Sequence, residues 1–343
     1  MEYFIHFFYF LNINLNHFII MISKILSNSE KVFDFVVNEG HGVKGLCDIG
    51  IQALPKQDIQ PLEERITTSI VRTDNSIPLI DASNWDDPKV ADQICKEAQS
   101  WGFFQVINHG VPIEILDNIK ETTHHFFNLP TNEKKMSWRD YYSLVHVSDD
   151  EATSFWPTSC RFDFLYIYSF LNEYKYECFF RKEALEYLKS CDTVIRKILK
   201  LLMGGLNIKE IDKETEELLM GLKRINFNYY PKCPNLELSI GDIGGLYVKK
   251  HETNVWIHIP PVKGALVINI GDALQIMSND KYKSVEHCMI ANGSHNRVSV
   301  PIFLHPKATS VIGPLKEGDY TNIFFSKGHD EKDTIKFAKI YRL

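Results

Sequence analysis

The chain has 343 residues, 44% of them hydrophobic and 24% charged, with a formal net charge of −6. This is the balance of a folded, water-soluble protein of one large or two modest domains, and with mild acidity and no Lys/Arg cluster it argues against a nucleic-acid partner. Seven cysteines, an odd number without a CxxC pair, argue against a disulfide framework and fit reduced thiols in a cytoplasmic protein.

Residues 1–23, MEYFIHFFYFLNINLNHFIIMIS, are apolar but carry no positive charge, and Asn12, Asn14, Asn16 and His17 interrupt the run. A secretory signal needs a positive start and a membrane span needs an unbroken apolar stretch, so neither is expected. Phe, Tyr, Ile, Asn and Leu are residues of A/T-rich codons. Residues 1–30 therefore read as a leader, translated ahead of a start at Met21 or disordered.

Val32–Val37 reads as helical, and Gly40, Gly42 and Gly45 punctuate a loop. Ile77–Asp81 is a short strand. Lys89–Ser100 is a helix, since Val90, Ile94 and Ala98 recur on one face. Trp101–Asn108 is a strand turned by HGVP, and Ile113–Phe127 a second helix ended by Leu129-Pro130. His109, His124 and His125 have no carboxylate at ligand spacing, which makes them structural.

Residues 162–180, FDFLYIYSFLNEYKYECFF, crowd aromatics onto both faces of any strand and read as an insertion. Lys182–Leu206 is a long amphipathic helix. Arg224–Tyr230 is a strand with Asn228 and Tyr230 on one face. Further strands are expected at Leu246–Lys249, Val255–Ile259, Ala265–Ile270, Leu274–Ser278, Ser284–Ile290 and Arg297–Leu304. That regular spacing argues a double-sheet jelly roll, so the fold class is α+β.

The chemistry gathers in residues 265–303, ALVINIGDALQIMSNDKYKSVEHCMIANGSHNRVSVPIF. Within Ser284–Ile290, Val285, His287 and Met289 share one face. Asn292-Gly293 is a turn signal. Arg297 and Ser299, two apart, share a face of the returning strand. A neutral imidazole can bind a metal, and a guanidinium can fork onto a carboxylate, so the two arms suit a metal and a carboxylate ligand.

The motifs WGFFQVINHGVP, NYYPKCP and SVEH…NRVSVPIF resemble the plant 2-oxoglutarate- and iron(II)-dependent dioxygenases. DFVVNEGHGVKGL, NIGDALQIMSN and SVIGPL narrow the resemblance to the feruloyl-CoA ortho-hydroxylase branch, with a hydroxylase acting on the coumarin itself as a near relative. It covers 31–161, as the family's N-terminal domain, and 182–343, as its jelly roll, apart from gaps. The resemblance implies His287 as an iron ligand. It implies Arg297 and Ser299 on the distal carboxylate of 2-oxoglutarate, with Asn228 and Tyr230 reaching the same site. It also implies Fe(II), 2-oxoglutarate and ascorbate as cofactors, and a hydroxycinnamoyl-CoA substrate hydroxylated ortho to its side chain, lactonising to scopoletin. A cytoplasmic monomer without nucleic-acid or membrane partners is expected.

The chain departs from the family in one respect that bears on chemistry. After NYYPKCP the family has a strand carrying His-x-Asp, the other two iron ligands. Here Ser239-Ile240-Gly241 runs directly into Asp242-Ile243-Gly244-Gly245, and no His-x-Asp or His-x-Glu occurs between Tyr230 and His287. A non-haem iron(II) site needs two histidines and a carboxylate. His251, Glu252 and His258 are the only candidate substitutes upstream of His287 in this half, and since adjacent strand residues point to opposite faces, His251 and Glu252 cannot both face one metal unless they lie in a loop. Segments also look missing after Met136 and after Glu317. The alternative function is thus a catalytically dead remnant, or a misassembled gene product, that at most binds 2-oxoglutarate or an acyl-CoA.

Overall fold

The computed structural model describes residues 3–7, 36, 41–48, 71–72, 77–128, 141–146, 174–232, 245–250, 253, 255–290, 293–306, 310 and 312–315. Its elements, in chain order, are β1 (Tyr3–Phe7), α1 (Gly42–Asp48), β2 (Val71–Arg72), β3 (Leu79–Asp81), α2 (Pro88–Ser100), β4 (Phe103–Ile107), α3 (Ile113–Asn128), β5 (Tyr141–His146), α4 (Tyr174–Gly205), α5 (Lys213–Met220), β6 (Leu222–Tyr230), β7 (Gly245–Lys249), β8 (Trp256–Ile259), β9 (Leu266–Ile270), α6 (Asp272–Met277), β10 (His287–Ile290), β11 (Arg297–Ser299) and β12 (Ile302–His305).

The strands form two sheets. The larger has eight strands. β5 lies on one side of β6, and β11 and β12 lie in succession on the other. β1, β9, β4 and β3 follow. The smaller runs β10-β7-β8-β2, which makes β10 an edge strand. The interruption between β11 and β12 falls at Val300-Pro301. Proline has no N–H to give the ladder, and there the Pro301 carbonyl accepts from Asn226 N at 3.0 Å.

Two apolar clusters divide the interior. The larger packs α2, α3 and α4 against one face of the eight-stranded sheet: Ile94, Ile119, Tyr187 and Ile198 meet Phe104, Ile225, Phe227, Ile268 and Leu304. The smaller lies between the sheets, where Phe103 and Val267 meet Leu246, Val248, Ile257 and Ile259. Because strand side chains alternate, each strand of the large sheet gives one set of residues to the helices and the other to the space between the sheets. On β6 the helix-facing set is Ile225, Phe227 and Tyr229, which leaves Asn228 and Tyr230 on the inner side.

Helix α2 begins where sequence chemistry starts it. The Asp87 side chain accepts from Lys89 N, Pro88 occupies the first turn, and Val90, Ile94 and Ala98 are buried. Helix α4 extends further toward the N-terminus than the Lys182–Leu206 pattern indicated, because Tyr174–Phe180, assigned to the insertion, are its first turns. Residues 162–173 lie outside the described residues.

Two expectations are corrected. Leu274–Ser278 is not a strand. Gly271, extended, opens helix α6, and the buried set Ala273, Leu274, Ile276 and Met277 has helical rather than alternating spacing. The glycine-punctuated stretch holds a helix as well: in the first turn of α1 Gly45 N donates to His41 O at 3.1 Å, and Lys44 pairs with Asp48, four residues on, at 2.5 Å. Within residues 1–30, read as a leader, Tyr3–Phe7 forms a paired strand, and the others lie outside the described residues.

Candidate functional site

On β6 and β11, antiparallel pairing sets Arg297 opposite Tyr230 and Ser299 opposite Asn228. Directly opposed residues share a face, so all four stand together on the inner side. Asn228 Nδ2 donates to Ser299 Oγ at 3.2 Å, and Ser299 Oγ donates to the Tyr230 hydroxyl at 3.4 Å. The Arg297 guanidinium lies over the Tyr230 ring, 5.1 Å from its centroid. Ser299 is only 2% exposed. The structure thus brings together the four residues singled out in sequence. A cation stacked on an aromatic face, flanked by two hydroxyls and an amide, can hold a carboxylate in a fixed orientation.

His287 begins β10 in the opposite sheet. It pairs with Val248, and Met289 with Leu246, so the histidine faces the inter-sheet cluster with its two apolar neighbours in the alternation. Its ring packs on Phe103, centroids 5.1 Å apart and planes tilted by 60°. Burial holds its pKa below the ordinary value, against the smaller opposing effects of the Val285 carbonyl and the Asp272 charge. The imidazole is therefore neutral at neutral pH, the form that binds metal.

His258, the one described candidate for a substitute ligand, does not join it. In β8 it pairs with Tyr247, its ring 5.1 Å from that ring, and Tyr247 pairs in turn with Cys288. That row lies on the face opposite His287, since Ile257 and Ile259 fill the inner one. His251 and Glu252 lie outside the described residues, as does the junction at 239–243.

The metal half of the site fails a test of fit. Among the described residues no three His, Cys, Asp or Glu side chains are grouped to hold a metal ion. The donor set offers one inward imidazole where a non-haem iron(II) centre uses two and a carboxylate. Among the described residues, the donors do not fit the iron centre implied by resemblance.

His109 shows why a histidine beside a glycine-rich turn need not bind metal. Val111 N donates to its Nδ1 at 3.0 Å, so Nε2 carries the proton and donates to the Gly264 carbonyl at 2.8 Å. Both nitrogens are used, and burial lowers the pKa further. His124 packs edge-on against Tyr229 at 6.4 Å.

Three inner-face residues escaped the sequence reading. Phe103 packs against His287 with its ring tilted. Asn269, 1% exposed, lies opposite Phe103 in the β4–β9 ladder, with Gln105 on the same face two residues along β4. Among the described residues, neither amide atom of Asn269, nor Gln105 Oε1, has a hydrogen-bond partner. The alternation of Phe103–Ile107 and Leu266–Ile270 was the available signal, hidden because both runs are apolar enough to read as buried on both sides.

Comparison with known proteins extends these observations. Residues 77–173 match the non-haem dioxygenase N-terminal family, described from morphine synthesis, and residues 223–306 match the 2OG-Fe(II) oxygenase superfamily. A feruloyl CoA ortho-hydroxylase of Ipomoea batatas, F6H1-3, is 47% identical over 377 aligned positions that cover 93% of this chain and 99% of the relative. Feruloyl CoA ortho-hydroxylase 1 of Arabidopsis thaliana is 44% identical over the same shares. Since 377 positions exceed the 343 residues of this chain, the relatives carry residues opposite gaps here. Among solved structures, JOX2 in complex with 2OG, Fe, and JA superposes with a TM-score of 0.65 at 28% identity, covering 87% of this chain and 92% of that one. AtDAO1 of Arabidopsis thaliana, a 2-oxoglutarate complex, shares the fold with a TM-score of 0.56 at 20% identity, covering 71% of this chain and 98% of that one. The double-sheet α+β architecture, the inner-face cradle and these likenesses agree, and the chain belongs to the 2OG-Fe(II) oxygenase superfamily.

Proposed function

We propose that this chain acts with 2-oxoglutarate on a hydroxycinnamoyl-CoA thioester of the feruloyl-CoA type, the family reaction being ring hydroxylation ortho to the side chain on the route to a coumarin. The observation that carries the reading is 47% identity to a feruloyl CoA ortho-hydroxylase over 93% of the chain. The relative from Ruta graveolens, named for both coumaroyl CoA and feruloyl CoA, is 40% identical and supports the same substrate class.

Arg297 is the anchor of the 2-oxo acid in this reading. Its guanidinium forks onto the distal carboxylate, and Ser299 and Tyr230 add hydroxyl contacts. Asn228 orients Ser299 through the bond at 3.2 Å. Fe(II) and ascorbate belong to the family reaction, but the described residues do not complete an iron site. The protein acts as a monomer in the cytoplasm. No helix among the described residues is long and apolar enough to cross a membrane.

One inward imidazole among the described residues leaves a second reading to test, in which the chain binds 2-oxoglutarate or the acyl-CoA without turning either over. One assay separates the two. Purified protein is given feruloyl-CoA, 2-oxoglutarate, Fe(II) and ascorbate, and succinate and hydroxylated product are measured beside calorimetric titrations with 2-oxoglutarate and, separately, with feruloyl-CoA. Stoichiometric succinate and product support the enzyme. Binding without succinate supports the remnant. No binding of either ligand overturns both.

A further inference from the structure

β9 and β12 are among the most deeply buried strands of the molecule. All five residues of β9 are buried, as are Ile302, Phe303 and Leu304 of β12. Each has an antiparallel partner on one side, β4 for β9 and β6 for β12. Their other sides face one another across the width of a single strand, and β1 fills that width. Its backbone runs parallel to both, pairing Tyr3–Phe7 with Leu266–Ile270 and Ile5–Phe7 with Ile302–Leu304.

Without β1 the eight-stranded sheet would fall into two pieces, β3-β4-β9 and β5-β6 with β11 and β12. The N–H and C=O groups along the two facing edges would then lie in the buried centre of the molecule with no ladder partner. Buried backbone groups are almost always paired, and an edge of this length is an aggregation site. The 377 aligned positions exceed the 343 residues of this chain, so the relatives carry residues that this chain lacks. The sequence at the N-terminus, YFIHF, is aromatic and β-branched, the composition strands favour.

We infer that the space between β9 and β12 is a strand-accepting slot and that its occupant is the N-terminal segment of the same chain, Tyr3–Phe7, which joins the two halves of the large sheet into one. This assigns a structural role to residues whose composition reads as a dispensable leader, and it is independent of whether the protein turns over any substrate.

The test begins with the unaltered full-length chain. Hydrogen exchange is expected to show the amides of residues 3–7 as slow as those of Leu266–Ile270. A second chain beginning at residue 9 is expected to lose that protection along β9 and β12, and its Tm to fall by about 10 °C or more. A synthetic peptide of residues 1–10 added in trans restores both. Ile5→Pro in the full chain, which removes one backbone donor from an interior strand, reproduces the loss. Fast exchange at residues 3–7 in the full chain, or unchanged Tm and protection on deletion, overturns the inference. So does protection that is present only in a dimer and lost on dilution to monomer, which would make the occupant a second copy's strand.

Discussion

His258 and His287 lie on opposite faces of one four-stranded sheet, His258 in the row with Tyr247 and Cys288, His287 in the row with Val248 and Ile257. No side-chain rotation brings both imidazoles to one ion, because the sheet itself stands between them. Anaerobic titration with Fe(II) or Co(II) should therefore show weak, single-imidazole binding. His258→Ala should leave it unchanged within about twofold, and His287→Ala should abolish it, since ligand count sets affinity in such sites. A loss of affinity in the His258 variant would show that the two histidines share a metal after all.

The stack of Arg297 on Tyr230 makes the cradle sensitive to the shape of its cation as well as the charge. Lysine keeps the charge but loses the planar fork and the stacking. Arg297→Lys should weaken 2-oxoglutarate binding by about tenfold and Arg297→Ala by about a hundredfold, as expected for losing one or two hydrogen bonds to a charged group. Calorimetry without added metal reads this directly. Equal affinity in the lysine variant would place the carboxylate elsewhere.

What the sequence disclosed about the site followed from local rules. Val285 and Met289 flank His287 at two-residue spacing, so its face was legible from their hydrophobicity alone, and the Arg297–Ser299 and Asn228–Tyr230 pairs were legible in the same way. Leu274–Ser278 was misread because five residues with three apolar ones satisfy period 2 and period 3.6 alike. Only the glycine cap and the burial of both Ala273 and Leu274 settle it as a helix. The pairing of Tyr3–Phe7 could not be read, because its partners, Leu266–Ile270 and Ile302–Leu304, stand at the far end of the chain and nothing local specifies them. The position of His258 was obscured by the same non-locality. Its face is fixed by the register of β8 on β7, not by its neighbours in sequence.

Asn269 carries a stability cost that substitution should expose. Both of its amide atoms are buried beside Phe103 without a partner among the described residues, and each such group costs roughly 1–3 kcal/mol of desolvation. Asn269→Leu keeps the number and branching of side-chain heavy atoms and removes both polar ones. It should raise stability by about 1 kcal/mol, read as an increase of about 2–4 °C in Tm. A lower Tm would mean that the amide is satisfied in solution by an internal water or a ligand, and a repeat in saturating 2-oxoglutarate would separate the two.

His305 should mark the acid limb of the stability curve. Burial, and secondarily the charge of Arg224, bring its pKa down from 6.5 to about 4, and its ring stacks on Phe303 with centroids 6.4 Å apart. Below pH 6.5 the unfolded chain takes up a proton that the folded chain refuses until about pH 4. The stabilising contribution is therefore complete above the unfolded value and is lost as pH falls through this window. Asp192 behaves differently. Burial pushes its carboxyl up, but hydrogen bonds from Lys223 and Arg196 outweigh that and hold it below 3.8, so its contribution persists until more acid conditions. Urea unfolding at a series of pH values between 7 and 4 should give a slope smaller by about one proton in His305→Leu than in the parent, with Asp192→Asn leaving the slope in that window unaltered. An unchanged slope in the His305 variant would assign the acid sensitivity to other histidines, among them His109, His124 and His287, whose pKa values burial also lowers.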